Sequence, residues 1–125
     1  MKGINANITI SAKDIITIFN ILRSIGLNTT HKGTKYINKA IQLLVTSNSD
    51  IIVIENIYSD IAKYYNVTPK QVKNAITYAL NNRLSKKSIQ YFQNIFGFEY
   101  DEYYFTNKTI IEELSRVVKY NIIAN

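Results

Sequence analysis

Polar side chains that can form hydrogen bonds with nucleotide bases recur at helical spacing in one short stretch of this 125-residue chain. Asn and Gln amides can pair with adenine through two hydrogen bonds, and a lysine ammonium group reaches the acceptor atoms of guanine. Residues 70–81 place such side chains on one side of a helix and apolar side chains on the other. We expect four of them, named here the reading face, to contact base edges: Gln71, Lys73, Asn74 and Thr77.

The distribution of charge along the chain also points to a nucleic-acid partner for this stretch. The net charge is +6, and no acidic residue occurs between Asp60 and Glu99. A basic window of this kind suits a polyanionic partner, although a lysine-rich surface that meets only water is the alternative. We expect the following side chains to contact the phosphates of double-stranded DNA: Lys63, Lys70, Tyr78, Lys86 and Lys87.

A helix-turn-helix over roughly residues 58–84 would present this face, because it holds two short helices at a steep angle across a tight turn. Residues 59–60, Ser-Asp, favour the start of its first helix. Asn66 suits a left-handed turn position. Thr68 and Gln71 have the spacing of a capping box for the second helix. An ordinary helical hairpin whose polar face meets only water is the alternative interpretation.

The remaining apolar patterns also have a period near 3.6 residues and predict an all-α fold. A first helix is expected from Ser11 to Ile25, followed by Gly26 in a left-handed conformation. A second helix is expected to carry five residues on its apolar face: Ile37, Ala40, Ile41, Leu44 and Val45. The segment 50–57 is apolar almost all round and predicts a short, deeply buried third helix. Residues 88–96 predict another helix, and a final helix is expected to begin at a Thr106 or Asn107 cap.

Composition argues against several other classes of protein. With no cysteine and one histidine we expect no metal site, no cofactor and no catalytic residues, and therefore no enzyme. Aliphatic runs are too short to cross a membrane, and we expect a cytoplasmic protein. We expect residues 1–10 to form an N-terminal tail and residues 11–125 a single helical DNA-binding domain.

Three other features are interpreted as structural. His31 is expected to be an incidental loop histidine. Asp101 and Glu102 are interpreted as the solvated end of a loop. An aromatic cluster beside these acids is expected to pack under the final helix or to contact another protein, since its acidic neighbours disfavour stacking on nucleic acid. The cluster consists of Tyr100, Tyr103, Tyr104 and Phe105.

The chain resembles the C-terminal effector domain of the stage 0 sporulation protein A family, the regulators of endospore formation in Firmicutes. The resemblance runs from about Ile15 to Val118 and rests on short motifs in a fixed order: Ile25-Gly26, Lys32-Gly33, Tyr36, Ala40-Ile41, Asp60-Ile61-Ala62-Lys63, Tyr65-Asn66, Thr68, Val72, Ala75-Ile76, Ala79, Phe96-Gly97 and Thr106-Asn107. It implies a six-helix bundle with a central helix-turn-helix. It also implies binding to promoter DNA as tandem domains, hence a dimer on DNA, and contact with the sigma subunit of RNA polymerase near Lys87, Tyr91 and Gln93.

The sequence departs from the family in two respects. About ten residues precede the first predicted helix, so we expect no phosphorylated receiver domain, and the chain is either an excised domain or a stand-alone relative. The regulators of sporulation carry arginines at the positions of Gln71, Asn74 and Thr77 and a glutamate at that of Lys73. The resemblance therefore implies DNA binding but a different target site.

A second class of function is consistent with the same fold. The chain could be a protein-interaction module that pairs with a full-length relative or with RNA polymerase and has little DNA affinity of its own. The two functions differ in their dependence on salt, because an apolar protein interface is much less sensitive to ionic strength than phosphate contacts are.

Overall fold

The computed structural model of the chain describes residues 9–47, 52–82 and 106–124. Within these ranges the protein forms five α-helices and no strand. The helices are α1 (Ala12–Ser24), α2 (Lys32–Thr46), α3 (Ile54–Tyr65), α4 (Pro69–Asn81) and α5 (Asn107–Ala124). The all-α prediction is confirmed for the described residues. The helix predicted at 88–96 lies outside them, so the six-helix count stays a prediction.

The ends of α1 follow from its sequence. The Ser11 hydroxyl accepts a hydrogen bond from the backbone N–H of Asp14, and the Asp14 carboxylate accepts one from the backbone N–H of Ser11, which completes a capping box. Such a box satisfies two backbone donors that have no partner inside the helix. Gly26 follows the helix at a φ of 93°, a conformation that favours glycine. The predicted bounds of this helix are confirmed.

The predicted break between a third helix and the helix-turn-helix is wrong. A single helix, α3, runs from Ile54 to Tyr65, and residues 59–60 lie in its middle rather than at a start. Nothing in the segment interrupts the helical backbone, and the buried residues Ile57 and Ile61 continue one apolar stripe across the expected junction. The stripe covers one side only, since Glu55 and Asn56 are exposed, so the expectation of a helix buried all round is also wrong.

The core lies around α2, which contacts each of the other four helices. The predicted inner residues of α2 are largely confirmed, because Ile37, Ala40 and Ile41 are fully buried. The largest fully buried side chains come from all five helices and from Ile25, the C-cap residue of α1: Ile18, Leu22, Ile25, Ile37, Ile41, Val45, Ile61, Val72, Ile76, Ile111, Leu114 and Val118. The helix-turn-helix is therefore held on a packed scaffold rather than standing alone.

Helices α2 and α4 approach each other closely at Gly33. A Cβ atom built at this position would lie 2.0 Å from the carbonyl oxygen of Ala75 and 2.8 Å from the Cβ atom of Ala79. Only a residue without a side chain allows the two backbones to come so near. Gly33 thereby sets the position of α4 relative to the core, and with it the position of the reading face.

Candidate nucleic-acid interface

The turn between α3 and α4 has the predicted chemistry. Asn66 ends α3 in the left-handed region, at φ 57° and ψ 50°. The Thr68 hydroxyl accepts from the backbone N–H of Gln71, and the Gln71 amide oxygen accepts from the backbone N–H of Thr68. Pro69 occupies the first turn, where a backbone donor is not needed. The predictions for the turn and for the capping box are confirmed.

Helix α4 separates its side chains into a buried and an exposed face. Val72, Ile76, Ala79 and Leu80 are buried, while Ala75 is half-buried beside Gly33. The opposite face is exposed throughout and contains Lys70, Gln71, Lys73, Asn74, Thr77, Tyr78 and Asn81. The structure thus brings all four residues of the reading face together on the outside of one helix.

The four side chains of the reading face differ in whether they already form hydrogen bonds within the protein. The amide of Gln71 is engaged in the capping box, and the hydroxyl of Thr77 accepts a hydrogen bond from the side chain of Asn107. Lys73 and Asn74 are exposed and form no hydrogen bond with any residue that the structure describes. These two side chains are the ones most available to an external ligand.

Among the residues that the structure describes, the lysines predicted to contact phosphate have no acidic partner. The ion pair present among the described residues joins Arg116 to Glu113, both on α5. Lys63 and Lys70 are exposed, and neither pairs with a carboxylate in the described ranges. Their charges are therefore available to an anion. The other two predicted lysines, at 86 and 87, lie outside the described residues.

The sequence did not indicate a bridge that joins α5 to the reading face. Asn107 Nδ2 donates to the hydroxyl of Tyr58, at 3.1 Å, and to the hydroxyl of Thr77, at 3.0 Å. Thr106 rather than Asn107 caps α5, because the backbone N–H of Thr109 donates to the Thr106 hydroxyl. The sequence offered one hint of this bridge. Thr106 and Asn107 are both suitable cap residues, and since only one of them can cap α5, the side chain of the other is left to form a hydrogen bond elsewhere.

Tyr58 is the buried partner in the hydrogen-bonded bridge made by Asn107. Burial raises the pKa of its hydroxyl above the usual value, the hydrogen bond from Asn107 lowers it, and the carboxylate of Glu55 raises it. Because the net effect is upward, the hydroxyl is neutral at physiological pH. The bridge is therefore a neutral hydrogen-bonded link between α3, α4 and α5.

All five helices lie wholly or partly within the match to a protein family. The family model described as "Sporulation initiation factor Spo0A C terminal" matches residues 18–118, which begin within α1 and end within α5. The chain belongs to this family. Its members carry the DNA-binding effector domain of a sporulation regulator, and the family is a regulatory one rather than an enzyme family. The predicted resemblance is confirmed.

His31 stands at the N-cap of α2 in this sporulation-regulator domain, but its side chain makes no capping hydrogen bond. Its ring packs edge-on against the ring of Tyr78, with centroids 5.2 Å apart. This contact joins the start of α2 to the exposed face of α4 and supports the position of Tyr78, one of the predicted phosphate contacts.

The sequence also did not indicate a cationic surface beside the helix-turn-helix, formed by Lys35 and Lys39 of α2. The Lys35 ammonium lies 4.7 Å from the ring centroid of Tyr65, and that of Lys39 lies 3.8 Å from that of Tyr64. Such contacts hold lysine side chains over aromatic faces without neutralising their charge. They connect α2 to the last turn of α3 and extend the positive surface of the domain beyond the basic window.

Within residues 9–47, 52–82 and 106–124, no group of three or more His, Cys, Asp or Glu side chains could hold a metal ion. None of the helices in those ranges is long and apolar enough to cross a membrane. Three predicted features lie outside the described residues: the acidic loop end at Asp101, the aromatic cluster, and the surface for RNA polymerase between Lys87 and Phe96.

Proposed function

We propose that the protein is a sequence-specific transcriptional regulator whose α4 helix reads the major groove of double-stranded DNA. The observation that carries the proposal is the exposed polar face of α4, on which Lys73 and Asn74 have no partner among the described residues. Membership of the sporulation family supports the DNA-binding part. Paired binding on tandem sites and contact with the sigma subunit of RNA polymerase belong to the same proposal and rest on the family resemblance.

The target site is proposed to differ from that of the sporulation regulators and to be richer in A·T pairs. An arginine fork favours guanine, whereas an asparagine amide donates and accepts in the pattern that adenine presents. Asn74 lies one turn after Lys70 on the exposed face of α4, and its amide has no competing partner in the described structure. We assign base readout chiefly to Asn74 and Lys73. Gln71 and Thr77 are assigned a smaller share, because each already forms a hydrogen bond within the protein.

Phosphate contacts are assigned to Lys63, Lys70, Tyr78, Lys86 and Lys87. Lys63, Lys70 and Tyr78 are exposed, and the two lysines at 86 and 87 follow α4 in the sequence. Contacts of this kind fix the orientation of a protein on the duplex but carry no base information. The assignment therefore separates residues that should affect affinity on all sequences from those that should affect preference.

The affinity for DNA is expected to fall steeply with salt. Four lysine contacts with phosphate would release condensed counterions and weaken binding roughly a hundredfold between about 50 and 200 mM monovalent salt. Fluorescence anisotropy with a duplex selected from a random library measures this directly. An affinity that scarcely changes across that range would favour the protein-interaction module instead.

The substitution Asn74→Ala is expected to weaken binding to the selected duplex by about 1–3 kcal/mol and to relax the preference at one base pair. Lys70→Ala is the matched control, because Lys70 lies one turn earlier on the same exposed face. It should weaken binding to all duplexes alike and flatten the salt dependence, since a phosphate contact is blind to sequence.

Binding constants on the selected duplex and on its single-substituted variants distinguish the two roles. If Asn74→Ala lost affinity uniformly on every duplex, Asn74 would be a phosphate contact and the assignment of the reading face would be wrong. If the wild-type protein bound selected and scrambled duplexes equally, the proposal of sequence-specific binding would fail.

A further inference from the structure

Asn107 connects the reading face to the core through a single side-chain nitrogen. Its Nδ2 carries two hydrogens, and the two acceptors within 3.1 Å of it are the hydroxyl oxygens of Tyr58 and Thr77. Tyr58 is 6% exposed, whereas Thr77 lies on the exposed face of α4. One hydrogen bond of the pair is therefore anchored in the core, and the other ends at the surface that faces DNA in the proposed function.

The anchored end holds the amide in place. Tyr58 is a residue of α3 that packs in the hydrophobic core, and its hydroxyl is neutral because burial disfavours the phenolate. Asn107 is half-buried at the first position of α5, where the backbone is fixed by the Thr106 cap. An amide held at both its backbone and its nitrogen has lost most of its rotamer freedom before any ligand arrives.

The outer end determines what Thr77 can offer to DNA. Since the Thr77 oxygen accepts from Asn107, the hydroxyl proton remains to be donated. A donor in this position matches acceptors such as the N7 atom of a purine, O6 of guanine or O4 of thymine. A threonine without the bridge would rotate freely and present its proton or its lone pairs to either kind of group.

We propose that Asn107 is a positioning residue for sequence recognition: it orients the Thr77 hydroxyl as a hydrogen-bond donor and couples α5 to the reading face. The inference rests on the proposed function, because it concerns how the reading face discriminates between duplexes. Asn107 acts through Thr77 and needs no contact with DNA itself. The expected consequence is a change in base preference that exceeds the change in affinity for unrelated DNA.

Asn107→Ala is expected to lower the ratio of affinities for selected and single-substituted duplexes by about two- to tenfold, the fold-change that corresponds to one neutral hydrogen bond. Affinity for scrambled DNA should change little, since the exposed lysines are untouched. Asn121→Ala is the matched control, because Asn121 is a half-buried asparagine farther along the same helix. It should leave the ratio unchanged.

A double-mutant cycle separates positioning from a general loss of structure. Thr77→Val removes the hydroxyl and keeps the shape of the side chain, and it should lower the ratio at least as much as Asn107→Ala does. In the Thr77→Val background, Asn107→Ala should cause no further loss, whereas in a Thr77→Ser background, which keeps the hydroxyl, its effect should persist. All measurements are made at a temperature at which circular dichroism shows every variant to be fully helical.

The outcomes distinguish this inference from the proposed function. A wild-type protein without base preference overturns the proposed function itself. A selective wild type whose preference survives Asn107→Ala overturns the positioning role alone. The same holds if Asn107→Ala lowers the ratio equally in the presence and absence of the Thr77 hydroxyl, since the residue would then act by another route.

Discussion

Gly33→Ala is expected to destabilise the protein by about 2 kcal/mol or more, although alanine favours helices over glycine by about 1 kcal/mol. The added Cβ atom would lie 2.0 Å from the carbonyl oxygen and 2.5 Å from the carbonyl carbon of Ala75. Both atoms belong to the backbone of α4 and cannot move aside as a flexible side chain could. Relief requires α2 and α4 to separate, which opens the packing around Ala79 and displaces the reading face.

Chemical denaturation measures the free energy of unfolding for this variant. Lys32→Ala is the control, because Lys32 is the exposed neighbour on α2 and its substitution should change stability by no more than about 0.5 kcal/mol. We expect the folded fraction of Gly33→Ala to bind the selected duplex more weakly as well. A variant as stable as the wild type would show that the two helices do not meet at Gly33 as described.

Ile76→Ala is expected to destabilise the protein by about 2–5 kcal/mol, the cost of removing a large side chain from a closely packed site. Ile76 is fully buried on the inner face of α4 and belongs to the hydrophobic core. The loss includes both the transfer of apolar surface and the cavity that remains. It exceeds what any single substitution on the exposed face should cost in stability.

Asn81→Ala on the exposed side of the same helix is the control for Ile76→Ala. Urea denaturation should give a lower midpoint for Ile76→Ala with an unchanged slope, and a midpoint within error of the wild type for Asn81→Ala. If the two variants were equally stable, the assignment of the inner and outer faces of α4 would be incorrect. The assignment of the reading face depends on the same orientation.

Local sequence signals were sufficient to predict the turn and the second helix of the helix-turn-helix. Asn66, Thr68, Pro69 and Gln71 act within a few residues of one another, so their roles depend little on the rest of the chain. The start of α3 was mispredicted because that prediction also relied on local signals alone. Ser59 is a good cap residue in isolation, but the apolar stripe on both sides of it is buried against the core, and packing prevails over a local preference.

The residues of the reading face were predicted as a group but not in their individual states. Periodicity places Gln71, Lys73, Asn74 and Thr77 on one exposed side of α4, which the structure bears out. It carries no information about Asn107, which is 30 residues from Thr77 in sequence and 3.0 Å from it in space. A pattern with a period of a few residues cannot reveal a hydrogen bond between distant helices.

The sequence by itself determined the all-helical fold of the described residues, the capped start of α4 and the side of α4 that meets solvent, because these depend on backbone preferences and on apolar spacing within single helices. The tertiary structure decided where α3 begins, why residue 33 must lack a side chain and which polar groups on α4 are already engaged. Those properties depend on the distances between helices, and such distances are set by the packing of the whole core.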